Sequence, residues 1–227
     1  MIAGTMFKEL TNEQVRERIA ELWNAHAPSC HREDEVEAMW TWIEESDFFV
    51  APASARFHNS CEGGLARHTL NVATLAGRLA GEYLESHPEV EDEYLVDKAV
   101  TCGILHDLCK VGLYSINDGT DEERPVDEWP YVYDKEQVRR HGTLSRKIVH
   151  EYMPHIDTAE LDAIEWHMGA YDRRFAVPDH TKTTTSALVR GLDKLKQAKE
   201  KQRAARRRTP LVDIVHLADT ISANIWE

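Results

Sequence analysis

The sequence predicts an all-α fold, a bundle of amphipathic helices with almost no sheet. Three observations carry this. Apolar residues recur at steps of three and four through most of the chain, alternation of period two is scarce, and helix-opening signals stand just before the apolar stripes. A length of 227 residues suits one large or two small domains, and 42% hydrophobic residues suit an ordinary packed core.

Thr11 with Gln14 reads as a capping box opening a helix through about Ala27, and "REDEVEAMWTWIEES" reads as a second helix with Met39, Trp40 and Ile43 on its apolar side. Asp47 to Gly64, with Pro52 and the pair Gly63-Gly64, reads as a loop. From Leu65 the helical pattern returns: Leu65, Val72, Leu75 and Leu79 share a stripe, and His68 lies on it. A helix from about Glu93 to Lys110 follows, in which Leu95, Ala99 and Cys102 lead to His106 while Val96, Val100 and Gly103 lead to Asp107. Residues 115 to 134, rich in Asp, Glu, Gly and Pro, read as a long exposed loop suited to act as a lid. Helices resume at about 142 to 152, 158 to 168 and 184 to 200. Thr209 as N-cap and Pro210 at the first helical position open a last helix through about Trp226. Most of the tryptophans, Trp23, Trp40, Trp42, Trp166 and Trp226, fall on helices with apolar neighbours and read as core or interface.

Composition excludes several function classes. No uncharged apolar run approaches the roughly 18 to 20 residues needed to cross a bilayer, and "MIAGTMFKELTNEQ" lacks a basic region followed by an apolar one. The chain is therefore expected in the cytoplasm, with no membrane partner. Four scattered cysteines without CxxC spacing argue against a zinc ribbon or a disulfide scaffold. A formal charge of −13 repels polyanions at long range. Small anions in a metal-lined pocket remain compatible with it.

The chemistry concentrates in "GILHDLCKVGLY", where an apolar helix ends in a histidine and a carboxylate side by side. The dipeptide alone is weak, since about one such pair is expected by chance. Its surroundings are stronger. His68, His106, Asp107, His141, His167 and Asp219 all occupy inward-facing or helix-end positions, Asp219 following Val212 and Val215 on one stripe. An unpaired ionised carboxylate buried there would cost many kcal/mol, which makes a cation the natural partner. In helix bundles metal sites are built from inward side chains on facing helices. Four imidazoles and two carboxylates suit first-row transition metals such as Fe, Mn, Co, Ni or Zn. Asp107, beside His106, is the natural bridge between two such ions.

In the order His68, His106-Asp107, His141, His167 and Asp219, the chain resembles the HD-domain superfamily of metal-dependent phosphohydrolases. The phrases "EGGLARHTLNV", "GILHDLCKV" and "HLADTISA" are especially similar to the HD domain of bacterial 3′–5′ exoribonucleases and its single-domain relatives, over roughly residues 55 to 227. The resemblance implies an HD-type helical bundle at 51–227, with an N-terminal helical pair at 1–50 packed on it. It implies two divalent transition-metal ions, one completed by His68, His106 and Asp219, the other by His141 and His167, with Asp107 shared. A hydroxide bridging the ions would then cleave a phosphoester of a nucleotide or short single-stranded oligonucleotide. Cys109 departs from the glycine usual in relatives, and the OB domain of the exonucleases has no counterpart in the first 50 residues. Two other readings use the same fold: a di-iron oxygenase resembling myo-inositol oxygenase or organophosphonate oxygenase, acting on a phosphonate or polyol, and a non-catalytic nucleotide sensor.

Around that centre, Lys110 is placed to stabilise a phosphate oxygen, or else to favour the helix end before Gly112. His58 is placed to touch substrate or leaving group, or is a loop histidine with no such role; Tyr171 is placed where substrate could reach, and His216 to orient a ligand or pack the core. Trp129, Tyr131 and Tyr133 offer rings for a base or pack the acidic loop down. "KLKQAKEKQRAARRR", residues 194 to 208, reads as an anion-collecting arm or as a solvated helix balancing the acidic surface.

Overall fold

The computed structural model describes residues 9–120, 123–133, 141–169, 172–175 and 185–226. They form a helical bundle, as the periodicity predicts. The capping box is present: Gln14 N–H donates to Thr11 Oγ1 (3.2 Å), and Thr11 N–H donates to Gln14 Oε1 (2.9 Å). It opens α1 (Asn12–Cys30), which runs one turn further than expected, with Pro28 inside its last turn. Val15, Ile19, Trp23 and Ala27, each four residues on, form its buried stripe. α2 (Glu33–Glu45) buries Val36, Met39 and Ile43, and Trp40 stacks on Trp23 at 5.8 Å between ring centroids.

α3 (Gly64–Ser86) and α4 (Leu95–Leu105) form the most closely packed pair in the bundle. Gly103 makes this possible. A Cβ there would stand 2.6 Å from the Ala73 Cα, so only hydrogen lets the two backbones meet. α4 ends earlier than the periodicity predicts. Asp107 leaves helical geometry at φ −114°, ψ 19°, and a separate 3-10 turn covers Leu108–Lys110. An apolar stripe records which face is buried, not where the backbone turns.

The stretch expected as an exposed loop contains a small antiparallel hairpin instead. β1 (Tyr114–Ile116) pairs with β2 (Tyr131–Tyr133), Tyr114 facing Tyr133. Buried Asn117 closes the loop between them, donating from Nδ2 to the carbonyls of Arg124 (2.8 Å) and Trp129 (2.7 Å). Helices α5 (His141–Tyr152) and α6 (Thr158–Trp166) pack together, with Asp157 accepting from Ala159 N–H as the N-cap of α6.

α7 (Thr185–Arg208) absorbs the basic stretch into one helix that extends past residue 200. Two of its last arginines are engaged locally: Arg206 pairs with Asp213 at 2.9 Å, and Arg208 with Asp162. α8 (Leu211–Ile221) lies against α3, α4 and α6. Thr209 Oγ1 accepts from Leu211 N–H at 3.1 Å, and Pro210 already has helical dihedrals, so the expected start holds within one residue. The α-helical bonding ends at Ile221 and widens into a π-turn over Ser222–Trp226, short of the continuous helix expected. Among the described residues no helix is long and apolar enough to cross a membrane.

Gly103→Ala should lower unfolding free energy by about 1–3 kcal/mol, because α3 and α4 must separate. Gly81→Ala, where an added Cβ meets nothing within 4 Å, should instead raise it by up to about 1 kcal/mol. Urea unfolding followed by circular dichroism checks both signs.

Candidate metal centre

Five helices deliver six side chains to one buried point. His68 comes from the second turn of α3 and Asp219 from the last turns of α8; His106 and Asp107 follow α4, His141 opens α5 and His167 follows α6. Helix ends serve this purpose because a side chain there can point along the bundle rather than into a neighbouring helix. Gly142 helps for the same reason as Gly103: a Cβ on it would lie 2.1 Å from the Glu165 carbonyl oxygen, so α5 seats His141 close to the end of α6.

Asp107 is the hub. Its Oδ2 lies 3.2 Å from His106 Nε2, 3.6 Å from His68 Nε2 and 2.7 Å from Lys110 Nζ; its Oδ1 lies 2.5 Å from His141 Nε2 and 3.6 Å from His167 Nε2. Asp219 Oδ1 is 3.2 Å from His68 Nε2. Two triads of ligand atoms, His68–His106–Asp107 and Asp107–His141–His167, share the Asp107 carboxylate. His68, His106 and His167 are fully buried, and Asp107 is 2% exposed.

The imidazoles are oriented for a cation. His106 Nδ1 and His167 Nδ1 meet the carbonyls of Gly103 (2.8 Å) and Ile164 (2.7 Å), each three residues back, which puts N–H on Nδ1 and leaves the Nε2 lone pair facing inward. His216 Nδ1 in turn donates to the His167 carbonyl at 2.7 Å, fixing the turn that presents His167. His167 Nε2 has no hydrogen-bond partner though it is buried. His68 and His106 bring their Nε2 atoms to 3.2 Å of one another. Ring nitrogens and carboxylate oxygens converging at such distances are a donor set that a divalent transition metal fits.

The protein's own charges set the protonation of this centre. Burial would raise the Asp107 carboxyl, but Lys110, then His106 and His141, outweigh it and hold the group well below the ordinary carboxylate range. Asp219 is likewise held low against burial, chiefly by His68. Burial lowers His167 to about 4, with His106 adding like-charge repulsion, so this ring is neutral at pH 7. His141 goes the other way: burial disfavours its charge, yet Cys109 and Asp107 beside it raise it to about 10.

A cavity of about 850 Å³ opens onto Asp107, His141 and Asp219. Lys110, 6% exposed, lies in its wall, and its ion pair with Asp107 overcomes burial to raise its pKa. His58 lines the same cavity and packs at 5.0 Å from the His68 ring. Trp129 and Tyr133 line it too, whereas Tyr131 does not. Sequence reasoning missed Tyr114, whose hydroxyl burial pushes up to about 12; its place four residues after Lys110 was the available signal. Asn224, on the π-turn after Asp219, was missed as well and gave no signal. Tyr171 lies outside the described residues. Cys109, the departure noted above, donates its backbone N–H to Ser145 Oγ at 3.1 Å, tying the 3-10 turn to α5.

Because the folded pKa of His141 lies above its unfolded value, the stability it contributes is complete below about 6.5 and is lost as pH rises through about 10. A ligating imidazole must give up that proton. Adding Zn²⁺ to chelator-treated protein at about pH 8 should therefore release about one proton that His141→Gln does not release, measured by calorimetry in buffers of different ionisation enthalpy.

Comparison with curated proteins and with solved structures gives no match. A family model described as HD domain matches residues 65–224, more than half of the chain, and its span takes in all six converging residues. The chain thus belongs to the HD domain family, whose members are generally metal-dependent phosphohydrolases.

Proposed function

We propose that this chain hydrolyses a phosphoester of a nucleotide or short oligonucleotide with the aid of two divalent transition-metal ions. The observation that carries the reading is the pair of neutral-type imidazole lone pairs and shared carboxylate, two triads around Asp107, opening onto a cavity with a buried ammonium in its wall. His68, His106, Asp107 and Asp219 would hold one ion, and Asp107, His141 and His167 the other. Bound divalent cations supply Lewis acidity: they neutralise charge on a phosphoryl group and acidify the attacking water.

The chain's own residues supply the rest. Asp107 stays ionised and orients His106, His141 and Lys110 about one carboxylate. Lys110, kept charged by that contact, is the point charge for a non-bridging phosphate oxygen. Tyr114, protonated at any physiological pH, is a donor for a second phosphate oxygen or the leaving group. The rings of Trp129 and Tyr133 on the cavity wall support stacking of a base, as sequence-tolerant nucleic-acid sites do. Likeness of "EGGLARHTLNV" and "GILHDLCKV" to the exoribonuclease HD domains supports the same substrate class.

A panel of phosphomonoesters and diesters, assayed with and without O₂, tests the reading. Metal-dependent release of phosphate or nucleotide is expected, with loss of bound metal and of activity in Asp107→Ala while helical content stays. Lys110→Met should keep its metal and lose about 10²–10³ in kcat. O₂ uptake with a phosphonate or polyol, or full activity in metal-stripped Asp107→Ala protein, would overturn it.

A further inference from the structure

A second group of metal-ligating side chains forms where the end of α1 meets the start of α6. None of the six central residues belongs to it, and none of its members lines the cavity. α1 ends at Cys30, and His31 turns out of the helix at φ −131°, ψ 164°, its N–H still bonded to the Ala27 carbonyl at 3.1 Å. Opposite stands Glu160, in the first turn of α6. The His31 and Glu160 side chains are only 3% and 1% exposed. Cys30 is half-buried.

The two buried groups face each other without completing a hydrogen bond. His31 Nε2 and Glu160 Oε1 are 3.1 Å apart, but the approach is out of line and neither atom makes a hydrogen bond. They make a buried ion pair that lacks an in-line N–H···O bond, so the desolvation penalty of each group is only partly offset. A sulfur completes the arrangement: the ligand atoms of Cys30, His31 and Glu160 all lie within 4.8 Å of one another. Around an ion with bonds of about 2.0 Å, tetrahedral neighbours stand about 3.3 Å apart, which is the separation that His31 and Glu160 already have. Thiolate, imidazole and carboxylate together suit a borderline-soft divalent ion of the zinc class. Cys102 Sγ, bonded to the Glu160 carbonyl at 3.7 Å, fixes that first turn of α6 against α4.

We propose that Cys30, His31 and Glu160 form a mononuclear site for a zinc-class cation, with solvent in the fourth position, which clamps the end of α1 onto α6. Such a clamp ties the segment ahead of the HD match to the helix that presents His167. It is independent of the chemistry at Asp107 and stands or falls separately from it.

Cobalt tests it in the full-length protein, because a thiolate bound to Co²⁺ gives a near-ultraviolet charge-transfer band. Cys109 lies beside His141, so the Cys109→Ser protein is titrated to remove sulfur from the central site. A charge-transfer band with tetrahedral visible absorption is expected there, and it should persist in Cys109→Ser/Asp107→Ala. Adding Cys30→Ser should abolish the band and bind about one fewer ion per chain. No band in Cys109→Ser protein saturated with Co²⁺, or a band that survives Cys30→Ser, would overturn the proposal.

Discussion

A carboxylate that is almost wholly withdrawn from water governs this molecule. Asp107 is 2% exposed and ionised, and it is tolerable only because an ammonium and several imidazoles face it from different directions. Those groups come from four separate helical segments, so the arrangement exists only once the bundle has closed. Conversely, the bundle closes on a charged centre, and every element around it is shaped to bring a polar tip inward while the apolar flank of the same helix packs outward against its neighbours.

Two glycines translate that requirement into backbone geometry. Gly103 lets α4 touch α3, and Gly142 lets α5 touch the end of α6. Each stands within a few residues of a histidine that reaches Asp107. Close approach of the helices is thus the means by which imidazoles from distant parts of the chain come within a few ångströms. The carbonyls three residues before His106 and His167 then set which ring nitrogen carries the proton. Packing supplies position, and local backbone bonds supply orientation.

Much of this was legible in the sequence, for identifiable reasons. His68 and Asp219 lie on apolar stripes, so their inward direction follows from helical period alone, and Thr11 and Thr209 carry local signals that act within a few residues. The backbone turn at Asp107 was hidden, because Val96, Val100 and Gly103 continue a helical rhythm up to it whether or not the helix persists. The hairpin was hidden for a different reason: strands of three residues are too short for alternation to register, and their pairing joins positions far apart in a loop rich in turn formers. The meeting of His31 with Glu160 depends on how α1 docks, which no local pattern encodes.

The hairpin also divides labour in the wall of the cavity. β1 begins four residues after Lys110, so the strand, the 3-10 turn and the ammonium form one continuous rigid strip leading from the charged centre to the rim. The opposite rail, with Trp129 and Tyr133, is held to it by ladder bonds and by Asn117, and to the loop ahead of α3 by Tyr131 N–H donating to the Ala55 carbonyl (3.4 Å) and by Arg56 over the Trp129 ring (4.5 Å). Replacing the rings on that rail would reshape which molecules are admitted without disturbing a single helix, so selectivity and reactivity in this architecture are free to evolve apart.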